Sequence, residues 1–199
     1  MYKRQREDFL DRAIEILEEL RAEYPRVPDY RALLGRAYRE LPPWPRRSAS
    51  GSTMHPLERA VEILTELVAE FPDVPDYRYD LCEAYAAVAP PASRWHRPGR
   101  DEPESDELRD AEMRTFESLS EALRISESIV AEHPNVPDYV TSQVRIRHKL
   151  SGLLLERQEL DDALDMISRA LALQRGLTAR FPDVGSYQVW LAVLEESLV

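Results

Sequence analysis

Residues 71–77 read Phe-Pro-Asp-Val-Pro-Asp-Tyr, and near copies of this heptad stand at 24–30 (YPRVPDY), 133–139 (HPNVPDY) and 181–187 (FPDVGSY). Their closing tyrosines are 47, 62 and 48 residues apart, a period near 48 with one insertion of about 14 residues in the second interval. A fixed period of this size marks a repeat array, in which each unit buries its apolar face against the next. The heptad itself predicts a helix junction. Its first proline cannot continue the helix before it, and the valine ahead of the second proline is pushed toward extended backbone. Asp29, Asp76, Asp138 or Ser186 follows, each placed to cap the next helix. The flanking aromatic and the tyrosine are expected to staple the turn.

Aligning the copies on Pro25, Pro72, Pro134 and Pro182 exposes the helices on either side. Fifteen residues before these prolines stand Leu10, Leu57, Leu119 and Ile167, and twelve before stand Ala13, Ala60, Ala122 and Ala170. Nine before are Ile16, Ile63, Ile125 and Leu173, and five before are Leu20, Leu67, Ile129 and Leu177. Steps of three, three and four fall on one face of a helix. The shared alanine marks a close approach of a neighbouring helix. Nine, twelve and sixteen residues after the prolines a second apolar face recurs, with Leu34, Ala37 and Leu41 in the first copy. The tenth position is small, which makes Cys82 a packing residue. The expectation is an all-α protein: eight helices near 7–24, 29–41, 56–71, 76–89, 106–133, 138–156, 160–180 and 186–199, arranged as antiparallel pairs in a solenoid of four units. A single array over 1–199 is expected, with irregular proline-rich loops at 42–56 and 90–105. The charged opening MYKRQ and the uncapped close WLAVLEESLV suggest a piece of a longer protein.

Composition narrows the function. A net charge of -11 argues against nucleic acid or an anionic membrane as partner. No apolar run reaches the roughly 20 residues that span a bilayer, and one cysteine fits a reducing, cytoplasmic setting. The four histidines and Cys82 show no metal-ligand spacing, and His133 takes the place of a junction aromatic. No catalytic constellation and no cofactor motif is present, so the chain is not expected to be an enzyme.

Between Leu150 and Ala170 the sequence LSGLLLERQELDDALDMISRA resembles the tetratricopeptide repeat. Leu150 and Ser151, Leu154, then Ala163, Ile167 and Ala170 fall on that family's apolar and small positions, while Arg147 replaces its leading aromatic. Units near 48 residues with this junction also look like the long-period arrays that follow Ser/Thr kinase or sigma-factor modules in some bacterial regulators. The resemblance implies a scaffold that holds a protein or peptide segment, with the first helix of each unit lining the groove. On those helices stand Arg36 and Arg39, then Arg145, His148 and Lys149, cations suited to a carboxylate. Trp44 and Trp95, each among prolines and arginines in a loop, are further candidate anchors. The competing role is assembly: the apolar last helix, through Trp190, Leu194 and Leu198, would meet another copy or further repeats.

Overall fold

A computed structural model describes residues 2–42, 46–47, 53–87 and 105–197. The described residues contain eight helices: α1 (Tyr2–Glu23), α2 (Pro28–Glu40), α3 (Pro56–Glu70), α4 (Pro75–Ala86), α5 (Ser105–Glu132), α6 (Pro137–Glu156), α7 (Leu160–Arg180) and α8 (Gly185–Glu196). They fall into two compact units, Met1–Ala89 and Pro90–Val199. In the first, α1 packs on α2, α2 on α3 and α4, and α3 on α4; in the second, α5 packs on α6, α6 on α7 and α7 on α8. Helix α1 begins at Tyr2 and not near residue 7, because Lys, Arg and Gln are good helix formers. The first loop is not wholly irregular. Two-residue strands β1 (Arg46–Arg47) and β2 (Thr53–Met54) pair antiparallel within it. No described helix is long and apolar enough to cross a membrane.

The four junctions share one geometry. The backbone carbonyl of the aromatic residue accepts a hydrogen bond from the N–H of the valine three residues on, at 3.1 to 3.3 Å in all four copies, which closes a turn around Pro and its neighbour. The valine is extended in all four copies, with φ near -90° and ψ near 100°, as the following proline requires in three of them. The expected caps are displaced. Val27, Val74, Val136 and Val184 hold the N-cap positions and make no side-chain cap bond. In three copies the next helix starts on the proline itself, whose missing N–H is no loss in a first turn. Asp29, Asp76 and Asp138 therefore sit one step inside their helices, where a carboxylate complements the helix dipole. In every copy the aromatic and the tyrosine meet edge to face, with ring centroids 6.1 or 6.2 Å apart. Tyr77 also donates to Asp29 Oδ1 at 2.8 Å, tying one junction to the preceding one.

Gly185 stands where the other copies have proline, and a side chain built there would meet nothing within 4 Å. Val184 already holds φ -88° and ψ 94°. Gly185→Pro is therefore expected to raise the unfolding free energy by about 0.4–1 kcal/mol by narrowing the unfolded ensemble. A thermal melt showing a lowered midpoint would contradict that geometry.

The core follows the aligned faces. Ala60, Ala122 and Ala170 are fully buried, as are Ile63 and Leu67, while Leu119, Ile129 and Ile167 are nearly so. In the second unit Val144, Ile167, Ala170, Leu171 and Leu194 form one cluster drawn from α6, α7 and α8. Cys82 is buried, at the tenth position after its junction proline. The turn between α6 and α7 is of another kind. Gln158 adopts φ 62°, Glu159 N–H donates to Leu154 O at 2.9 Å, and Gln158 N–H donates to Leu155 O at 3.0 Å. This pair of bonds is a left-handed helix stop that usually carries glycine.

Candidate functional site

In the second unit two helices that each follow a junction, α6 and α8, bring candidate side chains together. Helix α6 carries Arg145, His148 and Lys149, and α8 carries Trp190. The His148 and Trp190 rings meet edge to face at 5.7 Å between centroids, both half-buried. Arg145 is also half-buried and Lys149 is exposed. Burial lowers the pKa of His148 below its ordinary 6.5, so the imidazole is neutral at pH 7. The local cations at neutral pH are then Arg145 and Lys149, beside an aromatic pair. This surface offers charge to an anionic group and ring edges to an apolar one.

The corresponding arginines of α2 are engaged with their own neighbours. Arg36 Nε donates to both carboxylate oxygens of Asp80 on α4, each at 2.7 Å. Asp80 is 3% exposed whereas the Arg36 side chain is 44% exposed, so the cation keeps contact with water and the anion does not. Arg39 lies 3.7 Å from Glu40, a loose pair, with its side chain 20% exposed. Arg31 makes the stronger link, a fork of 2.6 and 2.7 Å onto both oxygens of Glu70 on α3. These contacts fix one helix against the next.

Burial raises the pKa of Asp80, opposed by the hydrogen bond and charge of Arg36. An acid with a raised native pKa holds its proton more tightly folded than unfolded, so its contribution to stability falls as pH rises from its ordinary 3.8 toward the native value. Replacing it by Asn removes that slope. Denaturant melts from pH 4 to 7 should show wild type losing stability with rising pH relative to Asp80→Asn. A constant difference between the two proteins would mean that Asp80 is not shifted.

A polar contact recurs at one register of the junction hairpins. Seven residues before a junction proline stand Glu18, Glu127 and Arg175; thirteen after it stand Tyr38, Arg147 and Glu195. Tyr38 donates to Glu18 at 3.1 Å, Arg147 pairs with Glu127, and Arg175 donates to Glu195 at 3.1 Å. Arg147 is 5% exposed and also reaches Met166 Sδ at 3.5 Å, so it occupies a core position with its charge answered by Glu127. Burial lowers its pKa, against the pull of Glu127.

Trp44 and Trp95 lie outside the described residues, as does Leu198. Of the apolar residues assigned to an association face on α8, Leu194 must be withdrawn: it is fully buried in the cluster of the second unit. The period puts it on a helical face, but that face turns inward against α6 and α7. Trp190, assigned to the same face, instead meets His148. The exposed large apolar residues of α8 are Val189, 65% exposed, and Val193, 37% exposed. Among the described residues no group of three or more His, Cys, Asp or Glu side chains is placed to hold a metal ion.

Taken together, the described residues define an all-α protein of packed helix pairs repeated about a common junction. No known family profile matches the chain, and no curated protein matches it. Among solved structures it is similar to a thermophilic TPR protein of Thermus thermophilus, at 20% identity over 93% of this chain and 90% of that one, with a TM-score of 0.35. The repeat fold rests on this chain's own helices and junctions.

Proposed function

We propose that the chain is a non-catalytic scaffold that binds a protein or peptide segment, and that the surface of α6 and α8 in the second unit is its binding site. The observation that carries this reading is the meeting of His148 and Trp190 beside Arg145 and Lys149. Two helices from successive repeats supply it, so the site depends on the array and not on one helix. An acidic segment with an apolar side chain matches it: a carboxylate is attracted by the positive charge of Arg145 and Lys149 whatever their partners within the chain, and the ring pair takes the apolar group. Arg36 and Arg39 belong to the same reading as positions on a first helix, with Arg36 held by Asp80. Trp44 and Trp95 remain candidate anchors in the two loops. A place within a bacterial signalling or transcription regulator rests on the likeness of the period near 48 residues to long-period arrays, and a cytoplasmic setting on composition.

The test is calorimetric titration with an acidic peptide containing one large apolar residue. Arg145→Glu with Lys149→Glu is expected to reduce affinity at least 100-fold, about 2.7 kcal/mol, at unchanged helix content. Unchanged affinity in the double variant would remove this surface from the reading.

A further inference from the structure

The register of the first unit shows how a helix of one repeat packs on the helices that follow it. Besides the Arg31–Glu70 fork and the Tyr77–Asp29 bond, helix α2 meets its successors at three positions that bear on the outer helices. Gly35 lies against Leu64 of α3, so closely that an added Cβ would stand 2.6 Å from Leu64 Cγ. The Arg59 guanidinium of α3 lies near enough to the Tyr38 hydroxyl to act on it electrostatically, and Arg36 hydrogen-bonds with Asp80 of α4. By alignment on the junction prolines, α8 presents Ala192, Glu195 and Val193 at the positions of Gly35, Tyr38 and Arg36. All three are exposed.

Helix α1 is the aligned counterpart of α3, and its matching face is open. Ile16 is 43% exposed where Ile63 is fully buried, and Phe9 is 76% exposed where Pro56 is buried. Ala13 is half-buried where Ala60 is fully covered. On this face Leu17 and Arg12 take the places of Leu64 and Arg59, and on α2 Leu33 takes the place of Asp80.

Put together, the substitutions are complementary pair by pair. Small Ala192 would face Leu17, as Gly35 faces Leu64. Anionic Glu195 would face cationic Arg12 where Tyr38 meets Arg59. Apolar Val193 would face Leu33, itself 46% exposed, where the charged pair of Arg36 and Asp80 stands inside the unit. Arg12 now pairs with Glu15 and Glu195 with Arg175, both on open surface, and such pairs exchange at little cost.

We propose that a second copy of this chain is the occupant of these faces, α8 of one copy docking on α1 and α2 of the next. The two faces differ, so the contact is head-to-tail and each addition leaves one face of each kind open. This goes beyond the binding site on α6 and α8, and its failure would leave that reading standing.

Light scattering over a range of concentrations is the test. Wild type is expected to rise in mass with concentration and to pass twice the chain mass of 23.0 kDa. Ile16→Glu closes one face and Ala192→Trp the other; both residues are exposed, and an unchanged melting temperature checks folding. Each variant alone is expected to stay monomeric, while an equimolar mixture forms a single dimer, because one intact face of each kind remains. Glu195→Arg is expected to weaken association at least tenfold, and adding Arg12→Glu in the same chain to restore it. The proposal is overturned by a monomeric wild type at all concentrations, by an Ile16→Glu protein that still associates through α8 alone, or by a charge swap that restores nothing.

Discussion

Leu67→Ala is expected to cost about 2–5 kcal/mol of stability, while Leu20→Ala, at the same place before its own junction proline, costs about 1 kcal/mol or less. The two leucines are equivalent by sequence period, each standing five positions before its junction proline, Pro72 or Pro25. Their surroundings differ. Leu67 is fully buried, so truncation loses transfer energy and leaves a void that close-packed neighbours fill only in part. Leu20 is half-buried on the open side of α1, and the space left by its truncation admits water. Urea denaturation of both variants measures the contrast. Equal losses would mean that α1 is covered as fully as α3 and that its exposed face has been misassigned.

Gly35→Ala is expected to destabilise by about 1–3 kcal/mol, although alanine is the better helix former by about 1 kcal/mol. The new Cβ would stand 2.6, 2.8 and 3.0 Å from the three outer carbons of Leu64. Those distances are inside van der Waals contact. Leu64 is itself fully buried and has nowhere to move, so the strain passes to the pairing of α2 with α3. Overpacking therefore outweighs propensity. Leu64→Ala in the same chain provides the control, because it removes the obstructing carbons. In a double-mutant cycle the two substitutions should couple favourably by at least about 0.5 kcal/mol. Simple additivity would show that Gly35 and Leu64 do not press on one another.

Helix positions were readable from the sequence because the heptads punctuate it. Proline, extended valine and proline stop one helix and start the next, and the predicted boundaries at the junctions meet the observed helices within a residue or two wherever both are described. The start of α1 is displaced farther, to Tyr2. The aligned alanines marked fully buried places in three copies, at Ala60, Ala122 and Ala170, while Ala13 is half-buried on α1. Pairing between helices was less legible. Asp80 reads as an ordinary solvated acid on α4, and only the packing of α2 against α4 shows that it is buried under Arg36. Arg147 looks like a departure from an aromatic pattern, yet it fills the core with Glu127 as its counter-charge. Periodicity says that Leu194 shares an apolar face but not which neighbour that face meets. His148 reads as one of three cations, whereas burial against Trp190 leaves it neutral at pH 7. The sequence signal that could have found Trp190 was its place on a first helix of the array, one repeat beyond His148.

On the proposed reading, α6 and α8 together form a binding surface for an acidic segment. Its most direct measurement is the NMR spectrum of the Trp190 indole and the His148 ring during titration with such a peptide, the indole being assigned by Trp190→Phe. Binding at this surface predicts saturable shifts of both rings with one dissociation constant, lost together in the Arg145→Glu and Lys149→Glu protein. A peptide that binds while both rings keep their resonances would place the site elsewhere on the chain and contradict the claim.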